Sequence, residues 1–237
     1  MTTSGEVNSG RGERPLLTVA HRAANDPEAL RAVLDLGVDL AEADVRYFKG
    51  VPEVRHSKTL GSRLLWEPGE LTHRAQIDVL TLADLLEVVP GARHRLMLDL
   101  KGIWPGLAPA VARTLREHAP DSPVAICTPH WWMFKAFADA PQARIIPSAG
   151  SWPMLERLRE LLRKGQSGWP IQRPFFGCSV HRTLLTPAVV AELRRRVGHV
   201  LTWPVDTDAQ LADARRLGVT GVTSKNLELL AQIHAPS

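Results

Sequence analysis

No run of about eighteen apolar residues occurs in this 237-residue chain, which excludes a helix able to cross a membrane. Residues 1–15 are polar and rich in Gly and Ser, without the apolar centre of a signal peptide, and read as a disordered tail ahead of a single domain over 16–237. A soluble, cytoplasmic protein with no stable membrane insertion is the expectation. Cysteine is scarce: Cys127 and Cys178 are the only two, each inside an apolar run, and they read as buried thiols rather than reactive ones. No Gly-rich fingerprint follows the first apolar run, where Val19-Ala20-His21-Arg22-Ala23-Ala24 stands instead, and this argues against a doubly wound dinucleotide-binding sheet. The net charge of +4 comes from an Arg-rich chain, with arginines on helical stretches such as 192–196. Such runs are solvated helix faces, and without a recognition motif they imply no nucleic-acid partner.

What is present is alternation. Apolar runs at 16–20, 38–45, 95–101, 123–128, 143–147, 175–180, 199–203 and 219–223 read as strands. Helical patterns at 27–36, 81–89, 106–118, 131–139, 152–164, 187–197, 207–216 and 225–233 lie between them. Strict β/α alternation with eight strands predicts a (β/α)8 TIM barrel, with an open doubly wound sheet as the structural alternative. Asp26-Pro27 and Thr186-Pro187 are helix starts, and Gly37, Gly198 and Gly218 sit where helices should end. The segment from Gly61 to Thr81 breaks the alternation as a short insertion after strand 2, with Trp66-Glu67-Pro68-Gly69 as a turn and no clear period. As part of a βα-loop, it should sit over the active face.

Charged residues stand at the carboxyl ends of the first strands. In 38–45 one face holds Val38, Leu40, Glu42 and Asp44; in 96–101 Leu96, Leu98 and Leu100 form an aliphatic face opposite Met97, Asp99 and Lys101. Aliphatic toward helices and charged inward is the pattern of a barrel wall whose catalytic groups emerge at the strand ends. If these strands are neighbours, Glu42, Asp44 and Asp99 bring three negative charges against two positive ones from Arg22 and Lys101. Three carboxylates with one charge in excess suit a hard divalent cation, Mg2+ or Ca2+, rather than zinc. With the cation the site is net positive and fits a phosphodiester, Arg22 and Lys101 taking nonbridging oxygens. His21 and His56 can divide the work of general base and general acid in breaking a P–O bond. Ordinary ion pairs and core histidines are the competing structural account of each group taken alone.

At these residues the chain resembles the glycerophosphodiester phosphodiesterase family. The resemblance rests on His21-Arg22-Ala23, Pro27-Glu28, Gly37 through Val45, Gly50-Val51-Pro52-Glu53-Val54-Arg55-His56, Leu82 through Leu86, Leu98-Asp99-Leu100-Lys101, Leu201 through Asp206, and Gly218 through Ser224. It implies a (β/α)8 barrel, metal binding by Glu42, Asp44 and Asp99, an acid/base pair in His21 and His56, and phosphate binding by Arg22 and Lys101. The implied activity is hydrolysis of glycerophosphodiesters to glycerol 3-phosphate and an alcohol. Phospholipase D-like hydrolysis of lysophospholipids or sphingolipids is a neighbouring reading, and a phosphodiester-binding barrel without catalysis is one from another class. The family usually has Asp directly after its second His, where this chain has Ser57, and commonly has Glu as its third ligand, where this chain has Asp99. Trp66, Trp104, Trp131, Trp132, Trp152 and Trp203 fall at or just after strand ends. Of these, Trp66, Trp104, Trp132 and Trp203 are candidate substrate-lining residues, favouring a small-molecule phosphodiester or lysolipid with an acyl or choline end.

Overall fold

A computed structural model describes residues 16–165, 169 and 171–234; the tail reading for 1–15 lies outside the described residues. The chain forms β1 (Leu17–Ala20), α1 (Pro27–Asp35), β2 (Leu40–Phe48), β3 (Val51–Val54), β4 (Lys58–Leu60), β5 (Leu64–Glu67), β6 (Glu70–His73) and α2 (Leu82–Val88). It continues through β7 (Leu96–Leu100), α3 (Leu107–His118), β8 (Val124–Thr128), β9 (Ala143–Ala149), α4 (Trp152–Lys164), β10 (Gly177–His181), α5 (Pro187–Arg194), β11 (His199–Trp203), α6 (Asp208–Leu217), β12 (Gly221–Ser224) and α7 (Leu227–His234).

Parallel pairing runs β1-β12-β11-β10-β9-β8-β7-β2, and a further β1–β2 pairing closes the ring into a (β/α)8 barrel. The closure follows from side-chain distribution. Leu96, Leu98 and Leu100 share the outer core with Leu82, Leu85, Leu107 and Val111 of the surrounding helices. A second, inner cluster of Val19, Leu40, Met97, Ala125, Cys127, Ile146 and Leu201 fills the barrel below the site. The barrel is therefore a packed plug with a charged top rather than a pore. Cys127 lies in this plug and Cys178 in the outer core, and burial pushes both thiols up, Cys178 to about 12.

Local signals act where the sequence places them. Asp26 accepts from the amides of Glu28 and Ala29 at 3.0 and 2.8 Å ahead of Pro27, and Thr186 caps α5 through Val189. Gly37 and Gly218 end helices at φ 81° and 75°, the left-handed region that glycine enters without strain. Gly198 lies outside that region; it is required because an added Cβ would sit 2.9 Å from the Phe176 carbonyl oxygen.

Two elements differ from the sequence reading. Residues 131–139 form a 3-10 helix over Trp131–Phe137 instead of an α-helix, although Trp131, Met133, Phe134 and Phe137 are buried. The insertion is also not patternless. Behind β2 the chain turns at Lys49 and Gly50, both at positive φ, and β3 returns antiparallel outside the ring. Then β4, β5 and β6 form an antiparallel meander, so Trp66 and Glu67 end a strand and only Pro68-Gly69 make the turn. The meander is tied down by Glu53, a buried carboxylate that accepts from Arg55 Nε at 2.8 Å and is gripped by both terminal nitrogens of Arg74. The Arg74 guanidinium also lies 3.8 Å over the Phe48 ring.

Candidate active site

The parallel register between β2 and β7 sets Asp44 beside Asp99, and Glu42 lies two residues back on the same inward face. Oxygens of Glu42, Asp44 and Asp99 come within 4.8 Å of one another. Glu42 and Asp44 are buried at 3% and 0% exposure, so their charges must be balanced locally. Lys101, one residue past β7, reaches into the group: its ammonium contacts Asp99, lies 3.0 Å from Asp44 Oδ1 and 3.9 Å from Glu42 Oε1.

One ammonium does not neutralise three carboxylates. Burial, then Asp99 and Asp44, push the Glu42 carboxyl up to about 8, and burial also raises Asp99. For Asp44 burial acts upward as well, but Lys101 and the Asn25 hydrogen bond outweigh it and hold the carboxyl below its ordinary value. Asp99 Oδ1 is buried without a hydrogen-bond donor, and Asp44 Oδ1 faces the one shared Lys101 ammonium. A negative excess, carboxylate oxygens short of donors and an all-oxygen ligand set together fit a hard divalent cation.

The chain after β1 supplies the next groups. Arg22 adopts φ 59°, a left-handed conformation that costs a non-glycine residue on the order of 1 kcal/mol or more and persists where its surroundings enforce it. Its amide donates to Glu42 Oε2 at 3.0 Å, and its side chain lies 3.5 Å from Asp44 Oδ2 and 3.7 Å from Glu67 Oε1. His21 Nε2 is 3.5 Å from Glu42 Oε2. Burial, then Arg22 and Lys101, lower the His21 imidazole against the opposing pull of Asp44 and Asp206, which favours its neutral form. His56 enters from the end of β3, its Nδ1 2.6 Å from Glu67 Oε1 on β5.

Thus His21, Arg22, Glu42, Asp44, Asp99, Lys101 and His56 all meet at one end of the barrel, as the strand-end reading expects. Two residues escaped that reading. Asn25 clasps Asp44 twice, donating to Oδ2 at 2.9 Å and accepting the Asp44 amide at 2.7 Å; it sits in a one-turn 3-10 segment with no pattern to mark it. Glu67 is eleven residues from His56, in the segment that showed no period. The tryptophans divide. Trp104 and Trp132 are exposed at 63% and 51%, while Trp66 and Trp203 are half-buried. Trp66 lies under the Lys58 ammonium at 5.2 Å, and Trp203 stands edge-on to His181 at 4.9 Å. Trp131 is core, donating its indole N–H to the Ser148 carbonyl at 3.0 Å.

No protein-family model and no curated protein sequence matches the chain. Solved structures do. A phosphodiesterase of Oleispira antarctica, in complex with the product sn-glycerol-3-phosphate, superposes with a TM-score of 0.70 at 16% identity, covering 93% of this chain and 97% of that one. A glycerophosphodiester phosphodiesterase from Parabacteroides distasonis matches at 0.67 and 17% identity over 93% and 98% of the two chains. Another from Agrobacterium tumefaciens matches at 0.62 and 19% identity over 93% and 100%. At these identities the likeness is one of architecture, and this chain has the barrel fold on which those phosphodiesterases are built.

Proposed function

We propose that the chain hydrolyses glycerophosphodiesters to glycerol 3-phosphate and an alcohol. The observation that carries the reading is the meeting, at one barrel mouth, of two buried carboxylates and a third partly buried one, two cationic side chains and two imidazoles. A divalent cation, Mg2+ or Ca2+, held by Glu42, Asp44 and Asp99, would supply Lewis-acid polarisation of a phosphoryl oxygen. Arg22 and Lys101 bind the nonbridging oxygens and hold the diester in line. His21 and His56 share the proton traffic: one takes a proton from the attacking water or hydroxyl as its oxygen bonds to phosphorus, the other gives a proton to the departing alkoxide as the P–O bond breaks. The imidazole pair separates this reading from a binding barrel, which has no use for an acid and a base. The glycerol 3-phosphate bound to the Oleispira protein is the product class expected.

Phospholipase D-like action on lysolipids is a second reading, favoured by the solvent-exposed indoles of Trp104 and Trp132, which suit an acyl or choline end. Purified protein assayed against glycerophosphodiesters and lysophospholipids, with Mg2+, Ca2+ or excess EDTA, tests both. Release of glycerol 3-phosphate that stops in EDTA is expected; full activity in EDTA, or no turnover of any diester, overturns the proposal.

A further inference from the structure

The two imidazoles are held in different ways. His21 is fixed by the barrel: it directly follows β1 and faces Glu42 of the neighbouring strand. His56 lies outside the ring, and its next neighbour in sequence is Ser57, which has no carboxylate to offer. Its surroundings are built by arginines and by the meander. Arg46 Nε donates to the His56 carbonyl at 2.9 Å, Arg55 binds the Ser57 carbonyl, and Arg55 also donates to Thr59 Oγ1 at 2.7 Å. Arg55 is in turn held by buried Glu53, which grips Arg74 just past the far end of the meander. Both ends of the β4–β6 unit are thereby fixed to the segment carrying His56, and its middle strand brings Glu67 to 2.6 Å from His56 Nδ1.

We propose that Glu67 is the positioning residue of His56, a carboxylate supplied across the meander in place of one adjacent in sequence. A carboxylate accepts and does not donate, so the pairing puts the hydrogen on Nδ1 and leaves Nε2 as the nitrogen that exchanges a proton with substrate. The Glu67 side chain is 40% exposed and that of His56 28% exposed, so the pair contributes little to stability; what it supplies is ring orientation and tautomer. Arg22 lies 3.7 Å from the same Glu67 oxygen, too far for a hydrogen bond, so the close partner of this carboxylate is His56. The pairing is independent of the hydrolase reading, but the effect on turnover rests on it.

The test uses the full chain with Glu67→Ala, Glu67→Asp, His56→Ala and the His56→Ala/Glu67→Ala double variant. On a glycerophosphodiester, Glu67→Ala is expected to lower kcat about 10- to 100-fold with KM little changed, the scale of a misplaced catalytic group. Glu67→Asp should recover part of this, and the double variant should turn over no more slowly than His56→Ala alone, because Glu67 acts only through His56. Separately, nitrogen NMR of histidine-labelled protein should show His56 biased to the Nδ1–H tautomer, a bias lost in Glu67→Ala. The proposal is overturned if Glu67→Ala keeps normal kcat, if its loss adds in full to that of His56→Ala, or if the His56 nitrogen signals are the same with and without the carboxylate. Should the parent hydrolyse no diester, the function proposal fails on its own, and the nitrogen spectrum alone decides whether Glu67 sets the tautomer.

Discussion

At the ends of β1, β2 and β7 the barrel mouth carries Glu42, Asp44, Asp99, Arg22 and Lys101, linked by ion-pair contacts, whereas the ends of β8 to β11 carry Trp132, Trp152, Trp203, His130 and His181. On the first side every group is defined by its neighbours: remove one charge and another is left buried and uncompensated. On the second, Trp132 and Trp152 are more than half exposed, and indoles there lose mainly contact area when truncated. On the proposed reaction, the first side would serve the step common to all diesters and the second the part of the substrate that differs among them.

The largest effects should fall on the charged side. Glu42→Gln and Asp44→Asn should each bring hydrolysis to background while the far-ultraviolet dichroism of the barrel stays intact; residual cation-dependent turnover in either would dissolve the distinction. His21→Ala and His56→Ala should each cost about 10²-fold or more in turnover, with a bell-shaped pH profile in the parent. Substitution of His73, His94, His118 or His199 should leave the rate within a few-fold, and equal losses there would mean that the histidines near the site have no special role.

A stability measurement sharpens the same contrast. The Glu42 carboxyl is raised from 4.5 to about 8, so the folded, cation-free protein holds a proton that the unfolded chain gives up. The stability this group contributes is complete below pH 4.5 and is lost as pH rises through about 8, on the order of a few kcal/mol. Denaturant titrations in EDTA should show that decline, Glu42→Gln should flatten it, and added Mg2+ or Ca2+ should reverse it by about 2.7 kcal/mol at a hundredfold excess over Kd. A pH-independent stability in EDTA would contradict the account of Glu42.

The smallest effects belong to the exposed indoles, Trp132 on the aromatic side and Trp104 in the loop after β7. Trp104→Ala and Trp132→Ala should raise KM several-fold for a choline- or acyl-bearing diester and leave glycerophosphoglycerol nearly unchanged, on the scale of about 0.5 to 2 kcal/mol per indole face. Identical kinetics for both substrates in both variants would make these tryptophans bystanders.

The barrel was legible in the sequence because its strands are aliphatic runs covered on both faces, and the eight read from the sequence match β1, β2 and β7 to β12 within a few residues at each end. The meander was not, because β6 is almost wholly exposed and β4 little better, so burial imposed no alternation on them. Trp131 to Phe137 kept a helix-like set of buried positions in a tighter coil, a difference that apolar spacing alone does not report. Among the site residues, Glu42 with Asp44, and Asp99 with Lys101, announced themselves through i, i+2 spacing at strand ends. Asn25 and Glu67 did not, since each acts across a fold-dependent gap onto a residue with which it shares no periodicity.

Glu53 has a consequence for how such a chain could change over time. A single buried carboxylate, held between Arg55 on one flank and Arg74 on the other, closes the meander like a buckle, while among the described residues β4, β5 and β6 pair only with one another. The stretch from Ser57 to His73 lends no strand to the barrel, which makes it an exchangeable cassette. But the cassette carries Glu67, so an exchange that replaces β5 also replaces the partner of His56. On the proposed reaction, substrate range and turnover would in this way be inherited together.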